Sequence, residues 1–480
     1  MRWNAHSIVW FARPACVLAA LFVTPASLAA QAVPTPATPE VTFTKDIAPI
    51  LQRSCQSCHR PGSVAPMSLL TYEEARPWAR AMKTRTSLQG KADGMPPWFI
   101  EKNVGIQRYK GDISLSNDEI AKVAKWADSG APRGNPADMP PPLTFVGADE
   151  WRIGTPDLIV TSPSFAMKGT APDWWGPIGE TPTGLTEDRY VAAVEMKEVS
   201  QAEKKSDRQT IGGLYIFHHL IWSAIAGEGA QAQPSDAGQG WPIHEVGRNA
   251  DFFDPDAGRL LKAGSKLVFP SAHMHASGVD TKAAVQIGFK FHPKGYQPKK
   301  KVQHLDITAT LDLDIRPLEA GQKIETFSTL TENVKMVAYE PHMHAAGVRM
   351  CLDAIYGSTT QTLSCSGYNH GWVRIYTYEE DAAPLLPKGT ILRVTGYFDN
   401  TPANKNVVDP RNWSGLGHRS IDNMMINIGQ TMVLTDEEFQ QEMAERRRKL
   451  NLAPGQTVLG CPLCAYAKAP LATGAGQQQQ

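Results

Sequence analysis

At 480 residues the chain is long enough for about three domains of roughly 100 to 200 residues each, which excludes a single small module. Hydrophobic residues at 42% and charged residues at 20% exclude a mostly disordered chain, and 39 glycines with 36 prolines argue against an all-helical one. Lysine plus arginine equals aspartate plus glutamate at 48 each, and no basic block stands out beyond Arg446 to Lys449, so nucleic acid is not an expected partner.

The chain opens with Arg2, a short apolar run from Ala15 to Val23, and small residues at Ala26, Ser27, Ala29 and Ala30. That layout predicts a cleaved secretory signal over residues 1–32. No later run approaches the roughly 20 apolar residues that span a bilayer, so the mature chain is expected to be exported, periplasmic or secreted, without a membrane span. Cys16 leaves with the signal. Cys55 and Cys58, Cys351 and Cys365, and Cys461 and Cys464 then form three close pairs in an oxidising compartment.

Residues 40–133 read as helical. Asp46 to Leu51 precedes the first cysteine pair, Glu73 to Lys83 is a second segment, and Ser116 with Glu119 forms a capping box for a helix through Trp126. Residues 134–149, beginning Gly134-Asn135-Pro136 and continuing through Pro140-Pro141-Pro142, read as a stiff linker. Short β-type runs follow: Asp157 to Thr161, Tyr190 to Lys197, Leu214 to Ala224, Lys266 to Phe269, Ala283 to Phe291, His304 to Leu313, Lys323 to Leu330 and Ile391 to Phe398. Runs of that kind predict antiparallel sandwiches. An internal echo, Ala272-His273-Met274-His275-Ala276 against Pro341-His342-Met343-His344-Ala345, is offset by 69 residues and favours two related units, 150–295 and 296–435. Thr435 and Glu438 cap a last helix, and 436–480 ends in a glutamine tail that reads as disordered.

Cys55-Gln56-Ser57-Cys58-His59 has the spacing for covalent haem c attachment: two thiols can take the haem vinyl groups while the adjacent imidazole reaches the iron. A disulfide loop or half of a zinc site is the other reading. Met67, Met82, Met95 and Met139 are candidates for a sixth ligand, and Met95 is preferred because Gly94-Met95-Pro96-Pro97-Trp98 is a stiff aromatic loop. Six of the 13 histidines fall in His218-His219, His273-Met274-His275 and His342-Met343-His344. On an extended strand residues two apart share a face, so each His-Met-His can aim two imidazoles at one point. Adjacent His218 and His219 face opposite ways on a regular strand and can share an ion only where the backbone kinks. Imidazole suits copper, zinc, iron and nickel, whereas an added thioether selects copper, and Met424 or Met425 could supply one.

Phe217-His218-His219, a later His before a Gly turn, Pro341-His342-Met343-His344 and then Asp422-Asn423-Met424, in that order, resemble the copper type II ascorbate-dependent monooxygenases over roughly residues 150–435. Gly396-Tyr397-Phe398-Asp399-Asn400 is similar to bacterial relatives with a fused c-type cytochrome. The resemblance implies a small all-α cytochrome c domain followed by two all-β jelly-roll-like sandwiches. It implies copper held by His218, His219 and His275, with His273 the competitor for the third place. A second copper would bind dioxygen at His342, His344 and Met424, with Met425 the competitor. Haem c on Cys55, Cys58, His59 and Met95 would take electrons from an external donor and pass them to copper. The expected activity is insertion of one atom of O2 into a C–H bond of a small organic or peptide substrate. The alternative is a non-enzymatic copper and haem electron-transfer protein. Cys351 and Cys365 are expected to bridge a hairpin and Cys461 and Cys464 the tail, while His244, His370 and His418 are candidate outer partners of the metals.

Overall fold

A computed structural model describes residues 40–467 apart from 148–149, 202–214, 237–239, 246–249, 310–312, 370, 418, 420 and 454. The expected signal peptide, His370, His418 and the glutamine tail lie outside the described residues.

The N-terminal segment builds Ala48–Ser54, Tyr72–Ala75, Ala79–Thr86 and Asn117–Asp128 as helices. The last of these begins where sequence places it: Ser116 Oγ accepts from the Glu119 N–H, and the Glu119 carboxylate accepts from the Ser116 N–H. Phe43, Ile47, Leu51, Leu69, Val123 and Trp126 form its core. Residues 132–141 lie along this core rather than bridging away from it. Phe43 N–H donates to the Pro132 carbonyl, Gln52 donates to the Pro141 carbonyl, and Met139 packs on the apolar cluster.

The rest of the fold is four antiparallel β-sheets, one of five strands and three of six. The first pair shares a core. One sheet centres on Arg189–Ser200 and Thr281–Phe291, the other on Phe217–Ala226 and Lys266–Met274, and Val194, Ile287, Leu220, Trp222 and Phe269 meet between them. The second pair centres on Gly347–Tyr356 with Ile391–Phe398, and on Asn333–Tyr339 with Met425–Leu434, around Leu352, Val394, Tyr339 and Met425. Cys351 and Cys365 are opposite one another across the Gly347–Tyr356 and Thr359–Gly367 hairpin and are disulfide-bonded, as are Cys461 and Cys464. Among the described residues no helix is long and apolar enough to cross a membrane.

The expected fold class, a discrete all-α cytochrome domain followed by two separate sandwiches, is corrected by the connections of its first part. The helical segment is not closed on itself: its own strand Ile100–Gly105 pairs with Thr359–Gly367 and becomes the edge of the five-stranded sheet. Trp98, Ile100, Ile106 and Tyr109 are buried in the core of the second sheet pair, and Glu101 pairs with Arg349. A strand edge with unpaired N–H and C=O groups is satisfied this way, and the four sheets with the interleaved N-terminal strand dominate the fold.

Candidate metal centre

The metal candidates sit on the two strands that lie side by side in the first sheet pair. Phe217–Ala226 and Lys266–Met274 are antiparallel, and His273 lies directly opposite His219. The next pair is Met274 with Phe217, so His218 is one residue more than its partner strand offers. This is a β-bulge, the kink that adjacent histidines need in order to face one point. A second register shift lies between Val268 and Ser271, around Pro270, where a missing N–H is tolerated. Phe217, Leu220 and Met274 point into the core and fix the strands around these irregularities.

The ligand nitrogens of His218, His219 and His273 all lie within 4.8 Å of one another. Their ring centroids are 4.7 to 5.8 Å apart. His273 is buried at 3% exposure, stacks on Trp175 at 4.7 Å, and its Nε2 lies 3.0 Å from Asp173 Oδ2. A carboxylate on one ring nitrogen orients the other and raises its basicity, the arrangement that supports metal-binding imidazoles. Burial, with the neighbouring imidazoles of His273, His218, His342 and His344, holds His219 well below the ordinary histidine range. Burial also lowers His273, against the opposing pull of Asp173. Both shifts favour the neutral ring, the form with a lone pair to offer an ion. His275 is half-buried, its ring centroid 5.8 Å from that of His218, with burial lowering its pKa. The third member of the cluster is thus His273. The cross-strand pairing with His219 identifies it, a register that the turn after His275 does not reveal. Asp173 and Trp175 carried no signal in sequence.

His342 and His344 are arranged differently. Their Nε2 atoms approach to 3.3 Å and their ring centroids to 5.2 Å. Met343 lies opposite Met425, and both are in the apolar core. His342 lies opposite Ile426, and half-buried Met424 immediately precedes the strand Met425–Leu434. His244 is buried on a strand beside Leu220.

In the helical segment Cys55 and Cys58 are free thiols. Burial, reinforced by Cys58, pushes the Cys55 thiol up to about 12. His59 Nδ1 lies 3.2 Å from the Met67 carbonyl, and burial lowers its pKa. Met95 is 41% exposed, Met82 is in the helical core, and Met67 packs against it.

No family model and no curated protein matches the chain. Similar solved structures include the Gx strain of infectious bursal disease virus, 8% identical over 57% of this chain and 71% of that one, TM-score 0.15. Others are the T13 particle of that virus, 10% over 58% and 70%, TM-score 0.17, and its VP2 subviral particle, 11% over 59% and 74%, TM-score 0.16. At these TM-scores the likeness carries no argument about this chain's own role.

These findings correct the expected identity. The expected copper monooxygenase and cytochrome identity is not what the comparisons return, since no family model and no curated protein matches the chain. Among the described residues one group of three or more His, Cys, Asp or Glu side chains is close enough to share an ion, where the expected cofactors required two copper sites. His342 and His344, assigned to the second copper, bring two imidazole nitrogens together without a third His, Cys, Asp or Glu side chain close enough to share an ion among the described residues. For Cys55, Cys58 and His59, assigned to covalent haem, no cytochrome family model matches. The expected two copper ions, haem c, monooxygenase activity and electron-transfer alternative are thus corrected, and of the associated features the disulfides are present.

Proposed function

We propose that the chain is a metal-binding β-protein that holds one first-row transition-metal ion on His218, His219 and His273. The observation that carries this reading is the convergence of three imidazoles within 4.8 Å on a bulged strand pair. Imidazole donors suit zinc, copper, iron and nickel alike, so the ligand set specifies the class of ion and not its identity. Three protein ligands leave at least one position of a tetrahedral ion for water or another ligand. Asp173 supports the site by holding His273, and Trp175 covers one face of that ring. Export to an oxidising compartment belongs to this reading, supported by the Cys351–Cys365 and Cys461–Cys464 disulfides. Equilibrium dialysis of the full chain against Zn(II), with metal counted by mass spectrometry, tests it. One ion per chain in the wild type and loss of that ion in His219→Ala are expected; equal uptake by the two proteins would refute the site.

A further inference from the structure

A half-buried arginine with no ion-pair partner among the described residues lies in the seam where the N-terminal segment meets the five-stranded sheet. The seam is closed by hydrogen bonds between residues 92–99 and 367–376. Gly367 N–H donates to the Phe99 carbonyl, Asn369 donates to the Ala92 carbonyl, and Phe99 N–H donates to the Tyr376 hydroxyl. Arg374 emerges from this segment with its guanidinium carbon 5.2 Å from the Trp98 ring centroid. Its Nε is buried and has no hydrogen-bond partner, and the same is true of Trp372 Nε1 two residues earlier.

A guanidinium is always charged, carries five donors in a planar fork, and is strongly disfavoured when desolvated without a partner. The ring face of Trp98 offsets part of this, but a cation–π contact leaves the in-plane donors unused. Among the described residues other buried arginines are provided for. Arg446 donates to the Glu380 and Ala383 carbonyls, and Arg349 pairs with Glu101. Arg374 as a whole is half-buried, while its Nε is not exposed. Burial lowers its pKa from the ordinary arginine value, while Tyr376, Cys58 and Asp112 act in the other direction.

We infer that Arg374 is the receptor for the carboxylate of a small organic acid, bound in the plane of the guanidinium with the Trp372 indole N–H as a second donor. Planar carboxylate matches the fork and would supply the missing charge and acceptors together. The site is independent of the histidine cluster and does not rest on the metal-binding reading.

The test is thermal unfolding of the full chain in sodium acetate, inorganic phosphate and sodium chloride at matched ionic strength, alongside the arginine side-chain nitrogen spectrum. A ligand that binds only the folded state raises the midpoint with concentration. Acetate is expected to raise the wild-type midpoint saturably above the chloride control and to shift one arginine Nε resonance. Arg374→Gln should lose both responses, and Arg374→Lys should keep a weaker midpoint response, since it retains charge without the fork. If phosphate gives the larger response, the carboxylate assignment is overturned. If acetate and chloride act alike, or the Gln variant responds as the wild type does, the site is overturned. Should Arg374→Gln fail to fold, the wild-type Nε resonance decides: no shift with acetate refutes the inference.

Discussion

The two His-Met-His segments have the same three residues and meet different fates, and the difference lies in what the sheet places beside them. In His273-Met274-His275 the methionine is buried in the core, while His273 has His219 on one neighbouring strand and Trp175 on the other. In His342-Met343-His344 the methionine is again buried, but the partner strand offers Ile426 opposite His342, and the two imidazoles turn to one another. A tripeptide motif can therefore set which side chains leave the core, yet a ligand set is completed across strands, by register and by a bulge.

Removal of His273 has the largest expected effect. His273→Ala should weaken Zn(II) binding by more than the about 100-fold typical of losing an outer partner, whereas His342→Ala should leave it within about threefold. Competition with a chromophoric chelator measures both, and similar losses in the two variants would erase the distinction.

The strand anchors differ as well. Glu198 accepts from the Ile216 and Phe217 N–H groups at the start of the His218-bearing strand, and burial pushes its carboxyl up to about 7. With a folded pKa above the unfolded value of 4.5, the folded state binds more protons between the two. Stability should therefore fall as pH rises from about 4.5 to about 7 and level off above, by up to about 3 kcal/mol. Glu198→Gln should flatten that slope in denaturant titrations; an unchanged slope would mean the carboxyl is not the titrating group.

A smaller effect is expected at the outer partner. Asp173→Asn should weaken Zn(II) binding by about 10- to 100-fold while the fold and the Cys351–Cys365 bridge are kept, which calorimetric titration checks. The counterpart anchor in the second region is Tyr368, whose hydroxyl donates to the Met343 carbonyl at 2.5 Å. Tyr368→Phe should cost about 1 kcal/mol in denaturant stability and nothing in metal affinity.

How much of this was readable in sequence depended on whether the signal was local. Ser116 with Glu119 and Thr435 with Glu438 close capping boxes within four residues, and the helices Asn117–Asp128 and Asp436–Lys449 start where those residues stand. The strand Ile391–Phe398 has its expected limits, and the hairpin bridge joins Cys351 to Cys365. The need for a kink at His218-His219 follows from strand alternation alone, and the bulge is found there. What failed was non-local. Nothing in Ile100-Glu101-Lys102 announces that it will pair with Ser366 more than 250 residues later and tie the helical segment to a sheet. The choice between His273 and His275 depended on a cross-strand partner, and the turn after His275 pointed the other way. A motif order shared with an enzyme family carries no information on whether both donor sets close.

The most direct test is X-ray absorption at the zinc edge of the Zn(II)-loaded full chain. Three imidazoles are expected around the ion in the wild type, two in His273→Ala, and three in both His275→Ala and the His342→Ala, His344→Ala double variant. An unchanged imidazole count in His273→Ala, or a fall in the double variant, would contradict the assignment of the ion to His218, His219 and His273.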